Sequence, residues 1–370
     1  MKNTQMLKLI LVLTSTTTFI FFSLFVYFYC KRTSKRQLEE EEQDIETTDY
    51  TKHGDSFVGV RGEEELVTFH GGEDLSISDI LDAPGEVIGK SNYGTLYKAF
   101  LQNSNSVRLL RFMRPVCTTR GEDFQELVRF LGSVRHPNLV PLLGFYAGPR
   151  GEKLLVHPFH RRGNLAHFIR ECGNESQKWA IIYKISVGIA KGLDHLHSGF
   201  EKPIIHGNLK SKNILVDRHF QPYISDSGLH LLLNPTAGQE MLESLASQGY
   251  KAPELIKMKE ACELTDIYSL GVIYLELLTG KEPVNEHPTT PEEDFYLPNF
   301  LRNAVLGQRI SDLFNPNILL MSSSTDDDEV PVSEERILKF FQLAMACCSP
   351  SSSLRPNVKQ VLWKLEEIGR

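Results

Sequence analysis

Cysteine is sparse in this chain, and nowhere does it occur as a Cys-x-x-Cys pair. Six are scattered at Cys30, Cys117, Cys172, Cys262, Cys347 and Cys348, which excludes a disulfide scaffold and leaves free cytosolic thiols as the reading. A basic excess is missing as well. Lys and Arg number 40 against 47 Asp and Glu, a net charge of −7, and no basic face with interleaved aromatics appears, so nucleic acid is excluded as a partner. Internal repeats are absent too. What remains is 370 residues, 41% of them hydrophobic, enough for one long domain or two lobes with their own cores.

Long apolar runs are absent with one exception. Leu9 to Tyr29 carries no charge, and at about 1.5 Å per helical residue it matches a bilayer's hydrocarbon thickness of about 30 Å. A cleaved signal would have a shorter apolar core and small residues at its end, where this stretch has Phe, Tyr and Leu. Lys31, Arg32, Lys35 and Arg36 follow it, against Lys2 and Lys8 before it. The positive-inside bias therefore places the C-terminal bulk in the cytoplasm. The expected organisation is a short extracytoplasmic segment at 1–6, a transmembrane helix at 7–30 and a solvated juxtamembrane linker at 31–65. A folded domain fills 66–370. Only the membrane and other protein chains remain as partners, since residues 1–6 leave no room for a ligand-binding ectodomain. The expected location is a single-pass protein of the plasma membrane. Asn174-Glu175-Ser176 has the form of a glycan acceptor, but the orientation puts it on the wrong side.

From Leu66 to about Phe159 short apolar runs alternate with turn residues, at Glu86–Ile88, Thr95–Tyr97, Val107–Phe112 and Leu154–Val156. These read as strands. One helix interrupts them, with Phe124, Leu127, Val128, Leu131 and Val134 on a single stripe. Beyond Trp179 the chain reads as helical, with a stripe of Ile182, Ile185, Ile189, Leu193 and Leu196 and a last stripe of Val358, Val361, Leu362, Leu365 and Ile368. Between them Tyr268–Leu278 is apolar nearly all round and stops at Thr279-Gly280, the pattern of a buried helix with a glycine cap.

Seven landmarks then fall in order. They are Gly89-Lys90-Ser91-Asn92-Tyr93-Gly94, the strand Val107–Phe112, the helix before His136-Pro137-Asn138, and the segment His206-Gly207-Asn208-Leu209-Lys210-Ser211-Lys212-Asn213. After these come Ser225-Asp226-Ser227-Gly228, Ala252-Pro253-Glu254, and Asp266 opening the buried helix, with Arg355 beyond. Together they resemble eukaryotic protein kinases, and most of all plant receptor-like kinases of the leucine-rich-repeat type. The resemblance implies an α+β, two-lobed protein-kinase fold, with a small β-rich N-lobe and a larger helical C-lobe behind the transmembrane helix. It implies that Gly89 and Gly94 cover phosphates, that Lys210 and Asn213 contribute to the cleft, and that Asn213 and Asp226 hold magnesium. Glu254 and Arg355 would brace the large lobe, and Asp266 would anchor it.

Several chemical positions depart from that pattern. Counting without gaps, the phosphate-holding lysine falls on Leu110, with Arg111 in its place if the preceding loop shifts by one. The glutamate of the helix falls on Leu127, and the middle loop glycine is Ser91. Asn208 stands where a carboxylate orients the substrate hydroxyl, and an amide is no base near neutral pH. Gly207 replaces the arginine that would pair with a phosphorylated activation segment, and Ser227 replaces an aromatic. The expectation is a membrane-anchored pseudokinase that binds ATP and magnesium weakly and serves as scaffold or allosteric partner for other kinases. The alternative is a weakly active Ser/Thr kinase that relies on positioning alone.

Overall fold

The computed structural model describes residues 64–119, 122–173, 176, 178–256, 261–284, 296–307, 318 and 333–370. The expected span at 7–30, the linker as far as residue 63, and Asn174 and Glu175 of the sequon lie outside the described residues. Among the described residues no helix is long and apolar enough to cross a membrane.

Six antiparallel strands make the first lobe: β1 (Glu65–Thr68), β2 (Gly85–Ser91), β3 (Gly94–Leu101), β4 (Ser106–Met113), β5 (Gly144–Ala147) and β6 (Lys153–Pro158). Their order across the sheet is β1-β5-β6-β4-β3-β2. The strands read from alternation are all present, and β1 and β5 add to them. One face packs under α1 (Ile77–Leu81) through Ile80, Leu101, Leu110, Leu154 and Val156. The other packs against α2 (Glu122–Ser133), whose Phe124 and Val128 are each 1% exposed. The stripe read from the sequence is thus the buried face of α2. Its spacing puts Leu127 and Leu131 at the edge of the same cluster, partly buried.

The second lobe is helical: α3 (Leu165–Glu171), α4 (Trp179–Ser198), α5 (Pro235–Ser247), α6 (Glu263–Thr279), α7 (Leu297–Leu306), α8 (Glu334–Cys347) and α9 (Val358–Gly369). Helix α6 is buried from Thr265 to Thr279 and ends on Gly280 at φ 69°, as its all-round apolar sequence requires. Trp179, Tyr274 and Phe340 pack edge to face and tilted at its centre, and burying side chains of this size is worth about 2–3 kcal/mol each. A two-stranded ribbon of β7 (Ile214–Val216) and β8 (Pro222–Ile224) lies on α4 and presents the segments on either side of it to the cleft.

Candidate functional site

The register of β4 decides which side chain enters the cleft. Leu110 lies opposite Tyr97 and Val156, whereas Arg111 lies opposite Leu96 and Leu155. Side chains alternate between faces along a strand. Leu110 therefore goes into the α1-side core at 2% exposure, and Arg111 lines the cleft. The gapless count that put Leu110 there is corrected. The β3–β4 turn ends on Asn105 in the left-handed region at φ 48°, and this loop shifts the strand by one residue.

Arg111 does not find a glutamate on α2. Leu127 takes no part in an ion pair, and Glu126 beside it faces solvent. Instead the Arg111 Nη2 donates to Asp226 Oδ1 at 2.6 Å, with the two side chains 10% and 12% exposed. Asp226 sits at φ 61°, a conformation that Asp tolerates better than most residues. The link joins β4 of one lobe to the segment after β8 of the other.

Below it, the loop from His206 to Asn213 is fixed by the start of α6. Asp266 accepts the His206 N–H at 2.7 Å, the Gly207 N–H at 2.9 Å and a bond from His197 Nε2 at 3.0 Å. His206 is fully enclosed. Its Nδ1 accepts from the Asn208 N–H, which leaves Nε2 to donate to Ser225 O at 2.9 Å. Burial pushes the pKa of His206 down, in keeping with this neutral tautomer. Asn208 is 3% exposed, and its side-chain Oδ1 has no hydrogen-bond partner among the described residues. The Asn213 Nδ2 donates to Asn208 O at 2.9 Å. Gly207 is left-handed at φ 72°, and a Cβ built there would lie 3.1 Å from His230 Nδ1.

The remaining walls come from two segments. In the β2–β3 turn, Ser91 Oγ donates to Gly94 O at 3.1 Å. Gly94 is required by packing, since a Cβ there would lie 2.5 Å from Phe112 O; at Gly89 a Cβ would make only ordinary contact. Opposite stands α5, which the sequence reading missed. Asn234 caps it through the Ala237 N–H, with Pro235 at its first turn. The Asn234 side chain also donates to Val116 O in the other lobe at 2.7 Å. Glu240, Met241 and Ser244 of α5, with Gln248 just past its end, face the turn and the loop across a cavity of about 420 Å³. Gly89, Gly94, Arg111, Asn208, Lys210, Asn213 and Asp226 all line it. Away from the cleft, Arg355 holds Glu254 through two nitrogens, at 2.5 and 2.7 Å.

The sequence profile of a family described as protein tyrosine and serine/threonine kinase matches residues 83–365. This chain belongs to the protein kinase family. The Arabidopsis thaliana "Putative kinase-like protein TMKL1" is 36% identical over 341 residues, which cover 92% of this chain and 49% of that one. The chain thus spans about half the length of that relative. Among solved structures, the maize sucrose-induced receptor kinase 1 domain bound to AMP-PNP matches with a TM-score of 0.70 at 28% identity. It covers 83% of this chain and all of that one. The pseudokinase domain of BIR2, an immune regulator of the RLK/Pelle family, matches at 0.61 and 31%, covering 76% and 80%. The receptor-like kinase likeness read from the motifs therefore stands, as does the two-lobed fold.

Magnesium is the metal that the kinase fold implies, and the donors present fit it poorly. Asp226 is already neutralised by Arg111 at 2.6 Å. Cations also outnumber carboxylates around the cavity, with Lys90, Arg111, Lys210 and Lys212 facing Asp226 and Glu240.

Behind the pair lies His157, opposite Leu109 on the neighbouring strand and bonded through Nδ1 to Pro141 O at 3.1 Å. Burial, then the Arg111 charge, lowers its pKa from 6.5 to about 4. Between those two pH values an unfolded chain takes up a proton that the folded one refuses, so stability falls as pH drops from 6.5 towards 4. Glu276 acts in the opposite sense. Burial raises its pKa to about 7, and its contribution is lost as pH rises from the ordinary carboxylate range to that value. The two offset in the wild type, and a variant separates them. His157→Phe removes the proton-linked cost, so its stability relative to wild type should improve by about 2 kcal/mol between pH 7 and pH 4.5. The measurement is thermal unfolding across that range, and a pH-independent difference would contradict the assignment.

Proposed function

We propose that this protein is a membrane-anchored pseudokinase, held at the bilayer by Leu9–Tyr29, whose cytoplasmic domain serves other kinases as scaffold or allosteric partner. One observation carries the reading. The position from which a kinase orients the substrate hydroxyl holds the amide of Asn208, buried and with its Oδ1 unpartnered among the described residues. General-base assistance of about 10²–10⁴-fold is forfeited there. The carboxylate that remains on that side of the cleft, Asp226, is tied to Arg111. The scaffold supports are kept meanwhile: the Asp266 bonds to the loop and the Glu254–Arg355 pair are all in place. A shaped surface without transfer chemistry suits a binding partner. The likeness to the BIR2 pseudokinase domain supports the same reading, as does a position near the receptor-like kinases of plants.

The test is phosphate incorporation into a generic protein substrate by the full chain in detergent, with magnesium and ATP. Wild type should not exceed Asp226→Asn. Turnover present in wild type and lost in that variant would instead make this a weakly active Ser/Thr kinase.

A further inference from the structure

The cleft carries the wrong balance of charge for a metal-assisted nucleotide site and a suitable one for an anion. Its four cations come from three separate elements: Lys90 from β2, Arg111 from β4, and Lys210 and Lys212 from the loop before β7. Arg111 is itself only 8% exposed, and its Nε has no partner among the described residues. That leaves a buried charged donor beside the one spent on Asp226. That Nε is closed off from the cavity, but Arg111 itself lines it, and a charge-assisted bond from its guanidinium to a ligand oxygen would be a strong one. Lys210 is half-buried, and desolvation pulls its pKa down, so an anion nearby would favour its charged form. A divalent cation entering the same space would have to displace a guanidinium bonded at 2.6 Å, against three further positive groups.

We propose that this cleft binds phosphate-bearing small molecules directly on Arg111, Lys210 and the two flanking lysines, without a divalent metal. The guanidinium takes the neutralising place next to Asp226 that a metal ion occupies in active kinases. The phosphate chain, rather than an attached base, supplies the affinity. The inference rests on the reading that no phosphoryl transfer occurs here, and the two are separable by experiment.

The full chain, purified in detergent, is melted with ATP, inorganic tripolyphosphate or adenosine, each with excess EDTA and with magnesium. ATP and tripolyphosphate should both raise the Tm by several degrees in EDTA, at millimolar ligand. Magnesium should weaken that shift, because it competes for the phosphates, and adenosine should give none. Lys90 and Lys212 are exposed, so Lys90→Ala/Lys212→Ala should fold normally and bind both anions about tenfold more weakly. A shift that requires magnesium, or none with either anion, overturns the proposal. A shift with ATP and adenosine but not tripolyphosphate does so as well, by assigning the affinity to the base. Phosphate incorporation in the magnesium samples bears on the pseudokinase reading alone.

Discussion

Arg355→Ala is expected to lower the melting temperature of the full chain by on the order of 10 °C. The Arg355 side chain is fully enclosed and bonds Glu254 through two nitrogens, along with the carbonyls of Ser349 and Leu264. Its guanidinium also lies 5.1 Å from the centre of the Tyr268 ring. Removing one partner of such a pair leaves the other charge buried, which costs roughly 3–5 kcal/mol. In a domain of this size each kcal/mol moves Tm by about 2–4 °C. Arg108→Ala is the matched control. Its bond to Asp74 at 3.0 Å joins side chains 19% and 38% exposed, and pairs open to solvent are worth about 1 kcal/mol or less. If the two variants melt alike, Arg355 does not brace the lobe.

The second large effect concerns Arg111 and Asp226. Arg111→Met and Asp226→Asn should each destabilise the protein by about 2–4 kcal/mol, and the double variant by clearly less than their sum. A coupling of at least about 1 kcal/mol is expected from a pair at 2.6 Å in a largely enclosed setting. The sign is informative. Were Asp226 poised for a metal with no compensating cation, removing its charge would stabilise the metal-free protein. Additive losses, or a gain on Asp226→Asn, would show that the two side chains act independently. Denaturant unfolding of all four proteins supplies the cycle.

Much of this fold was legible in the residues. Strand alternation, the α2 stripe and the all-round apolar α6 each follow from where Leu, Ile and Val recur, and the motif order placed the loops. The cleft was harder to read. Whether Leu110 or Arg111 faces it depends on a four-residue turn and the left-handed Asn105, and periodicity within β4 does not register a shift arising outside it. Exchanging the two reverses the chemistry, because a charged tie between lobes stands where an apolar side chain was expected. Leu127 lies where the helix phase puts it, at the edge of the cluster under the sheet. Helix α5 had a signal that went unread: an Asn-Pro start at Asn234-Pro235, with Ala237, Met241, Leu242 and Leu245 on one buried side. Nothing in the sequence alone put Glu240 and Ser244 across from Lys210. That juxtaposition is made by long-range packing.

The left-handed glycine of this loop also limits how the missing arginine could be put back. An arginine at position 207 would sit at φ 72° with its Cβ 3.1 Å from His230 Nδ1, so backbone strain and a few tenths of an ångström of movement by the imidazole would come with it. Restoring that side chain would cost stability before it gained any phosphate to pair with.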